Sequence, residues 1–380
     1  MSGPIYDAVI AGGGLAGLSL AGHLAAGGWR DRRVLIVDDA GPVSAVSWGF
    51  WSRPDGLLDD AVSRTYDLIR IHADGAERIL PLRPYRYRVV RRPDLVRVVH
   101  GLIRHCPGFE IRSGRVEDVR DGPTTVETIV DGQAVHSRWA FDSVTRPPAS
   151  PPVDARLAFT GWEVVSDRPS FDPAVPTLFD FRTAQSGGAR FAYILPADPY
   201  RALVELTQFV PPDVEPPSSW ARSAGLATYL RDVARCSAYR TVRTESAVIP
   251  LRARPEVRRG RRVLAIGARG GLIKASTGYA YQRIQRDSRA IAASLVRHGH
   301  PFGAFRSRRR HRLLDAVLLR VLDREPARLE QIFARLFAAN PADRVLRFLD
   351  EDTSLRDELR LIATLPPAPF LRASTAALAR

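Results

Sequence analysis

Three glycines near the start of the chain have the spacing with which dinucleotide-binding proteins approach a pyrophosphate. They are Gly12, Gly14 and Gly17, in G-x-G-x-x-G spacing, and Asp38 follows 21 residues after Gly17. Glycines permit a tight turn and a close approach of the backbone, and the amino end of the next helix attracts the pyrophosphate. A carboxylate at the end of the next strand can accept hydrogen bonds from ribose hydroxyls. The pattern predicts dinucleotide binding; the alternative is a structural turn in another α/β fold.

The elements that must position these residues form a βαβ unit. Residues 5 to 11 are an apolar run without helical period, which is typical of a strand buried on both faces of a parallel sheet. A helix is predicted over residues 15 to 26, because Gly27 and Gly28 supply a C-terminal stop. A second buried strand is predicted over residues 33 to 37, and Asp38 ends it.

A second set of glycines lies far downstream, at the end of a buried strand in "RRVLAIGARGG" (261–271). Its glycines are Gly267, Gly270 and Gly271. An N-terminal fingerprint combined with a late strand of this kind favours FAD over NAD. Many flavin monooxygenases carry Gly-Asp at this point, with the Asp on the ribityl chain, but here Ala268 follows Gly267.

Between these two signals the pattern changes to strands with few helices. Helices are predicted over residues 91–103 and 218–236, and from residue 279 the chain is helical with proline-bearing breaks. Strands are predicted in four regions: three over 66–90, one over 110–119, one over 124–138, and several over 156–211.

The sequence therefore predicts an α/β fold with a Rossmann-like FAD-binding domain, an inserted antiparallel-sheet substrate domain and a helical C-terminal region. The boundaries are expected as follows: FAD-binding domain, 1–65, 91–145 and 245–300; substrate domain, 66–90 and 146–244; C-terminal region with membrane contact, 301–380.

The composition limits the partners. The formal net charge is +15, and Lys274 is the single lysine of the chain. Codon bias and a basic face toward anionic lipid are both open explanations of the positive charge, whereas no nucleic-acid-binding motif is present.

Cys106 and Cys236 form no disulfide framework or metal cluster, so no metal is expected. No apolar run of about 18 residues and no export signal are found, which predicts a cytoplasmic protein with peripheral membrane association. The stretch from Arg306 to Arg312 and the apolar face of the helix after it are the expected contact.

Seven segments occur in the order found in the lycopene cyclases, over nearly the whole chain, and the resemblance is strongest to the bacterial FAD-dependent lycopene β-cyclases. It implies a flavoprotein of carotenoid biosynthesis that binds FAD, kept reduced by NAD(P)H. It also implies an isomerase, an intramolecular lyase, which cyclises linear lycopene ends to β-ionone rings and gives γ-carotene and β-carotene without net redox change. The segments are "SWGFWS" (47–52), "FTGWEV" (159–164), "PTLFDFRTAQ" (176–185), "FAYILPADPYRALVELTQF" (191–209), "ESAVIPL" (245–251), "IGARGGLIKASTGYAYQRIQRDSRAIA" (266–292) and "RFLDEDTSLRDELRLIATLPPAPFLRA" (347–373).

The resemblance assigns the catalytic acid to Glu205 in "LVELT", with Leu206 in the place of the family's second acid. A carboxyl group in an apolar cavity stays protonated because burial raises its pKa, and it can then protonate a polyene. Leu206 is expected to make the surroundings of Glu205 more apolar. Glu163 is expected on a neighbouring face outside the site. The alternative for Glu205 is an outward-facing residue on an alternating strand.

Further residues acquire candidate roles from the resemblance. Asp180 and Arg182, at i and i+2 on a strand, face the same side and can pair, in a catalytic or a structural role. Lys274 either lies near the flavin and favours its anionic reduced form, or is an exposed loop lysine. The remaining candidates are Gly270, Gly271, Thr277 and Gly278 on the flavin side, and Trp48, Phe50, Trp51, Trp162 and Tyr279 along a hydrophobic substrate tunnel or in the core.

Two other functions remain open. The first is an FAD-dependent monooxygenase or polyprenyl reductase of the same superfamily, which would act on a lipophilic substrate and consume NAD(P)H stoichiometrically. The second is a membrane-surface flavin-binding protein with a degenerate site, for which Leu206 is the support. The absence of Gly-Asp and the segments "LVELT" and "STGYAY" favour the cyclase.

Overall fold

The structure is a computed structural model that describes residues 5–39, 46–145, 152–185, 187–254 and 257–378. Its strands are β1 (Tyr6–Ala11), β2 (Val34–Asp38), β3 (Ser47–Ser52), β4 (Val62–Tyr66), β5 (Leu68–Ala73), β6 (Ala76–Pro81), β7 (Arg86–Arg91), β8 (Phe109–Ser113), β9 (Val116–Asp121), β10 (Val126–Val130), β11 (Gln133–Asp142), β12 (Ala155–Ser166), β13 (Thr177–Asp180), β14 (Ala189–Pro196), β15 (Arg201–Val210), β16 (Tyr239–Leu251) and β17 (Val263–Ala265). Its helices are α1 (Leu15–Ala26), α2 (Arg92–Ile103), α3 (Ser219–Asp232), α4 (Tyr281–His298), α5 (Arg309–Arg324), α6 (Arg328–Ala339), α7 (Ala342–Leu349), α8 (Leu355–Ala363) and α9 (Pro367–Leu378).

The first sheet has the strand order β8-β2-β1-β11-β10-β9, and β17 also pairs with β11. Its central pairs are parallel. The four residues Ala8 to Ala11 of β1 are 0% exposed, because helices α1 and α4 and the rest of the fold cover both faces. The predicted βαβ unit is therefore present, and helix α1 has the predicted bounds.

The prediction of two strands over 110–119 and 124–138 is wrong, because the chain forms four strands there, β8 to β11. Asp131 and Gly132 have φ values of 48° and 74°. Such a pair makes the two-residue turn that joins antiparallel strands, and Val130 pairs with Gln133 across it. The Asp-Gly pair is a turn signal in the sequence, and it explains the extra hairpin.

The second sheet has seven strands in the order β16-β12-β15-β14-β13-β5-β6, all antiparallel except the β13–β5 pair. Helix α3 packs on one face through Leu226, Tyr229 and Leu230. The other face carries the largest apolar cluster, which also includes residues of the C-terminal helices. A third sheet, β3-β7-β4, completes the fold. The predicted domain boundaries stay a prediction.

Helix α5 places most of its apolar residues inward. Val317, Leu319, Val321 and Leu322 of α5 belong to the cluster on the second sheet, so the prediction that the apolar face of this helix contacts a membrane is wrong. Within the described ranges, every helix is too short or too polar to cross a lipid bilayer.

Candidate active site

The glycine turn after β1 is crowded on one side and open on the other. A Cβ atom at position 17 would lie 1.9 Å from the carbonyl oxygen of Gly12, so α1 can pack against the turn only with glycine there. A Cβ atom at position 14 would meet no atom within 4 Å, so this side of the turn is open. Helix α1 has no side-chain cap and no acidic residue in its first turn. Its amino end is therefore available to an anion.

The late glycines lie beside the same helix. A Cβ atom at Gly267 would lie 2.8 Å from the Cβ atom of Ala16 in the first turn of α1. The Ile266 N–H donates to the Asp142 carbonyl oxygen at 2.9 Å, which ties the end of β17 to the end of β11. Tertiary structure thus brings the two glycine turns together at the carboxyl ends of parallel strands, where ligands of such sheets bind.

A cavity of about 340 Å³ adjoins the turn, and Gly13, Ile36, Asp38, Arg92 and Val96 are among its lining residues. The Asp38 carboxylate accepts hydrogen bonds from the Gly13 N–H at 3.2 Å and the Arg92 guanidinium at 2.6 Å. Carboxylate, guanidinium and apolar walls suit the ribose, phosphate and adenine of a dinucleotide. The residues present therefore fit the adenosine half of FAD.

Arg92 was missed by the sequence reasoning. It is the first residue of α2, it precedes Pro93, and it also donates to the Gly13 carbonyl oxygen at 3.2 Å. The helix-start signal of the Arg-Pro pair was visible in the sequence. What could not be read there is that this helix begins beside the glycine turn.

A buried ion pair lies near Gly267 and Ala268, the position at which many flavin monooxygenases carry Gly-Asp. The Asp142 carboxylate is 0% exposed, accepts the N–H groups of Val144 and Thr145 at 3.0 Å each, and lies 3.1 Å from Arg269 Nε. Arg269 comes two residues after Gly267. The segment after β17 is therefore held to β11 by the basic side chain of Arg269. It has no acidic residue at the position where flavin monooxygenases carry the Asp of Gly-Asp.

The turn from Lys274 to Tyr279 is closed by backbone hydrogen bonds, with Lys274 N–H to the Tyr279 carbonyl at 2.9 Å and Gly278 N–H to the Lys274 carbonyl at 2.8 Å. The Lys274 ammonium is buried, 2.6 Å from Asp315 and 3.3 Å from Glu351. The alternative of an exposed loop lysine is therefore wrong. Two carboxylates of the C-terminal region balance this charge, and its effect on a flavin stays a prediction.

The other flavin-side candidates are part of the same segment. A Cβ atom at Gly270 would lie 2.5 Å from the Ala265 carbonyl oxygen, and Gly271 has a φ of 68°. The Thr277 hydroxyl accepts the Tyr279 N–H at 3.3 Å. Their contacts with a cofactor stay a prediction.

Glu205 lies on β15 between Gly161 of β12 and Tyr193 of β14. Its side chain is half-buried on the face that carries the large apolar cluster, so it is not an outward-facing residue. Burial raises the pKa of Glu205 to about 8, with a further rise from the negative charge of Glu245 and an opposing hydrogen bond from the Thr207 hydroxyl. That hydroxyl donates at 2.9 Å. The group is thus protonated at neutral pH.

Leu206 lies on the opposite face of the sheet. It is 5% exposed and packs with Val204 against α3, where a Cβ atom at Gly225 would lie 3.0 Å from Leu206 Cδ2. The expectation that Leu206 shapes the surroundings of Glu205 is therefore wrong, because consecutive strand residues face opposite sides.

The acid that neighbours Glu205 is Glu245 of β16. Gly161 of β12 pairs with Glu205 on one side and with Glu245 on the other. Arg243 lies 2.7 Å from Glu245 and 3.0 Å from Glu163. Glu163 is therefore part of this charge network, and the expectation that it lies outside the site is wrong. Glu245 belongs to the segment "ESAVIPL" of the sequence analysis, but only the strand register shows that it is a neighbour of Glu205.

The predicted tunnel aromatics separate into three groups. Trp51 and Tyr279 lie together on the Glu205 side, with ring centroids 4.6 Å apart. Phe50 and Trp48 pack on the core of the first sheet, where Phe50 stacks on Tyr281 at 3.8 Å. Trp162 packs on the α3 face, 6.4 Å from Tyr239. Only Trp51 and Tyr279 are brought to the side of Glu205.

Two further tyrosines, Tyr87 and Tyr193, are buried on the Glu205 side. Burial raises the pKa values of Tyr87, Tyr193 and Tyr279 well above the ordinary value, and the charge of Glu205 contributes in the same direction. Their rings are therefore neutral at neutral pH, and an electron-rich aromatic face can stabilise a cation.

Asp180 and Arg182 pair as predicted, at 2.7 Å. The Asp180 carboxylate is 0% exposed and also accepts the Tyr229 hydroxyl of α3 at 2.7 Å. Burial alone would raise the pKa of Asp180, but the hydrogen bonds from Arg182 and Tyr229 outweigh it and the pKa is lowered. The pair thus joins the sheet to α3, the helix that packs on the face opposite to Glu205.

We expect Asp180→Asn to act on stability rather than on chemistry. It replaces one of the two buried carboxylate oxygens, which accept from Tyr229 and Arg182, with an NH2 group that cannot accept, and the free energy of unfolding should fall by about 1–3 kcal/mol. The half-exposed Arg182 adds little because water screens it. Urea unfolding measures the change, and Asp172→Asn, an exposed aspartate beside Arg70 at 3.4 Å, is the control. Unchanged stability with abolished turnover would instead indicate a catalytic role.

The comparisons with known proteins agree with this architecture. The sequence model of a family described as "Lycopene cyclase protein" matches residues 7–375. A lycopene beta-cyclase of Paracoccus sp. (strain N81106 / MBIC 01143) is 26% identical over 380 residues, which cover 96% of this chain and 95% of that protein.

Several solved structures share the fold at low sequence identity. A geranylgeranyl bacteriochlorophyll reductase-like protein from Thermoplasma acidophilum has a TM-score of 0.62 at 12% identity, covering 97% of this chain and 98% of that chain. A flavin-dependent brominase has a TM-score of 0.62 at 16% identity, with coverages of 91% and 93%. A p-nitrophenol 4-monooxygenase from Pseudomonas putida has a TM-score of 0.58 at 18% identity, with coverages of 95% and 98%. The predicted α/β fold class is confirmed.

Proposed function

This chain belongs to the lycopene cyclase family, and from that premise we propose that it is a flavin-dependent lycopene β-cyclase. The proposed reaction closes the linear ends of lycopene to β-ionone rings, giving γ-carotene and β-carotene. One proton enters each end and one leaves, so the mass and the redox state of the carotenoid do not change. The name of the Paracoccus relative supports this reaction.

The observation that carries the proposal is the position of Glu205 on the sheet face that carries the large apolar cluster. Its pKa of about 8 keeps the carboxyl group protonated at neutral pH, mainly because it is buried. Trp51 and Tyr279 lie on the same side, in one apolar cluster. A protonated acid beside neutral aromatic rings suits a reaction that adds a proton to a double bond and then holds a carbocation.

The residues would act in sequence. The Glu205 carboxyl donates its proton to a terminal double bond of the polyene. The ring closes on the resulting carbocation, which the faces of Trp51 and Tyr279 stabilise while the apolar cluster excludes water. The Glu205 carboxylate left by the first step, or another base, then takes a proton from the ring, which forms the new double bond and restores neutrality.

FAD would be held by the glycine turn, the amino end of α1, and the cavity with Asp38 and Arg92. In its reduced form it supplies an electron-rich ring system that stabilises positive charge nearby. A nicotinamide dinucleotide is the proposed reductant, needed to keep the flavin reduced but not consumed in proportion to product.

Anaerobic incubation of the purified protein with reduced FAD and lycopene in liposomes tests the function. We expect a cyclised isomer of unchanged mass, and none with oxidised FAD. A product with added oxygen or hydrogen, together with stoichiometric NAD(P)H consumption, would instead indicate a monooxygenase or a reductase. Flavin binding without any product would instead indicate a flavin-binding protein with a degenerate site.

The lipid-soluble substrate also supports peripheral association with an anionic membrane in the cytoplasm. The best surface for it is a stripe on the C-terminal helices. Leu355, Leu359 and Ile362 on α8 are 59%, 58% and 37% exposed, and Leu371 on α9 is 66% exposed. The α8 residues are spaced i, i+4 and i+7 and so share one side of the helix, and the exposed Arg356 and Arg360 flank them. Apolar side chains beside cations match an anionic lipid surface.

We expect the double variant Leu355→Gln/Leu359→Gln to bind anionic vesicles at least about tenfold more weakly, because two exposed apolar side chains no longer enter the lipid interface. Sedimentation with anionic and neutral vesicles at low and high salt measures the effect. Ile79→Gln, which changes an isoleucine 48% exposed on β6, is the control. Equal binding by the double variant and the native chain would exclude this surface.

A further inference from the structure

Gly161 is the residue of β12 that lies between Glu205 of β15 and Glu245 of β16. Adjacent strands are about 4.8 Å apart, so the backbones carrying these glutamates are about 10 Å apart with β12 between them. A Cβ atom at position 161 would lie 3.2 Å from Glu245 Cγ and 3.4 Å from Glu245 Oε1. The Glu245 side chain thus lies over the glycine, on the side where Glu205 stands.

The two carboxyl groups have different partners. Glu245 lies 2.7 Å from Arg243, which also contacts Glu163 at 3.0 Å and donates to the Ser47 hydroxyl at 3.2 Å. Burial raises the pKa of Glu245, and the Arg243 guanidinium at this distance opposes that rise by favouring the ionised form. Glu205 accepts a hydrogen bond from the Thr207 hydroxyl at 2.9 Å.

The groups that face Glu205 come from four directions. Glu245 lies across β12, with Arg243 and Glu163 behind it. Tyr193 of the neighbouring β14, Tyr87 of β7, and Tyr279 of the turn after β17 complete the surroundings. Burial keeps these three tyrosines neutral by raising their pKa values. Among these groups, Glu245 is the one whose negative charge raises the pKa of Glu205.

We infer that Glu245 is a positioning residue that keeps the proton on Glu205, so that the pair across Gly161 holds one proton. Two carboxylates on one face of a sheet, separated by a single strand and partly shielded from water, do not both ionise readily. The ion pair with Arg243 decides which of them carries the negative charge. This inference rests on the proposed function, in which Glu205 is the proton donor, and it names the group that makes the proton available.

Carboxyl titration followed by infrared difference spectroscopy tests the inference on the FAD-bound protein without any turnover. The band of Glu205 is assigned as the one lost in Glu205→Gln. In Glu245→Gln, we expect its midpoint to fall from about 8 by at least about one pH unit, because a like charge no longer opposes ionisation. In Glu245→Asp, which keeps the charge, the midpoint should stay close to the native value.

Glu163→Gln is the matched control, because it removes a carboxylate on the far side of Arg243, and its effect on the midpoint should be smaller. In the cyclisation assay, the upper pH limit of activity in Glu245→Gln should move down with the midpoint. An unchanged Glu205 midpoint in a folded, flavin-binding Glu245→Gln protein would overturn the inference. If instead the midpoint shifts but the native protein produces no cyclised isomer, the proposed function fails and the electrostatic pairing stands.

Discussion

Glu205→Gln is expected to lower the rate of lycopene cyclisation by about 10²- to 10⁴-fold, the usual contribution of a positioned proton donor. Glutamine keeps the size and polarity of the side chain but has no acidic proton. Flavin binding should not change, because the residues proposed to hold FAD belong to the glycine turns and the cavity with Asp38. Turnover under reduced, anaerobic conditions and the flavin-to-protein absorbance ratio measure the two effects.

The native enzyme should also show the corresponding pH dependence. Glu205 has a pKa raised by burial to about 8, and in the proposed mechanism the protonated form is the active one. Activity should therefore be present below this pH and decrease as the pH rises through about 8.

Glu77→Gln is a suitable control for this variant. Glu77 lies on β6, at the edge of the second sheet opposite to β16, and is ion-paired with Arg70 at 3.3 Å. The control should keep nearly native turnover. If Glu205→Gln retains more than about a tenth of native turnover, the loss of turnover is smaller than the smallest loss expected on removing a proton donor. Glu205 is then not the acid, and the reduced flavin becomes the leading donor.

Gly14→Val is expected to abolish flavin binding while the protein stays folded. A Cβ atom at position 14 meets no protein atom within 4 Å, and the backbone there has a φ of −80°, which valine can adopt. The added side chain would instead occupy the space above the amino end of α1. Loss of two charge-assisted hydrogen bonds to the pyrophosphate, each about 1.5–3 kcal/mol, weakens FAD binding by at least about a hundredfold.

Flavin titration followed by fluorescence gives the affinity, and thermal unfolding of the apoprotein shows whether the fold is retained. Gly101→Val provides the control, because a Cβ atom at that position on α2 also meets nothing within 4 Å. Native FAD affinity in Gly14→Val would show that the pyrophosphate does not bind at this turn.

Much of the fold could be predicted because its signals are local. The spacing of Gly12, Gly14 and Gly17, the apolar run before them and the helix after them lie within about twenty consecutive residues, and the structure reproduces them. The family and fold class followed from the order of segments along the chain and are confirmed. The pairing of Asp180 with Arg182 also follows from local geometry, since i and i+2 on a strand share a face.

Other features depend on contacts between distant segments. Glu205 and Glu245 are 40 residues apart, and only the register of β15, β12 and β16 brings them to the two sides of Gly161. The same register turns Leu206 to the opposite face, although it is next to Glu205 in the chain.

The sequence alone determined the glycine turn after β1, the family and the candidate acid, because each depends on residues close together or on their order along the chain. Tertiary structure alone decided which carboxylate neighbours Glu205, which aromatic rings share its face, and which apolar side chains remain exposed on α8 and α9. The physical reason is that alternation along a strand separates neighbours in sequence, while strand pairing and helix packing join residues from distant parts of the chain.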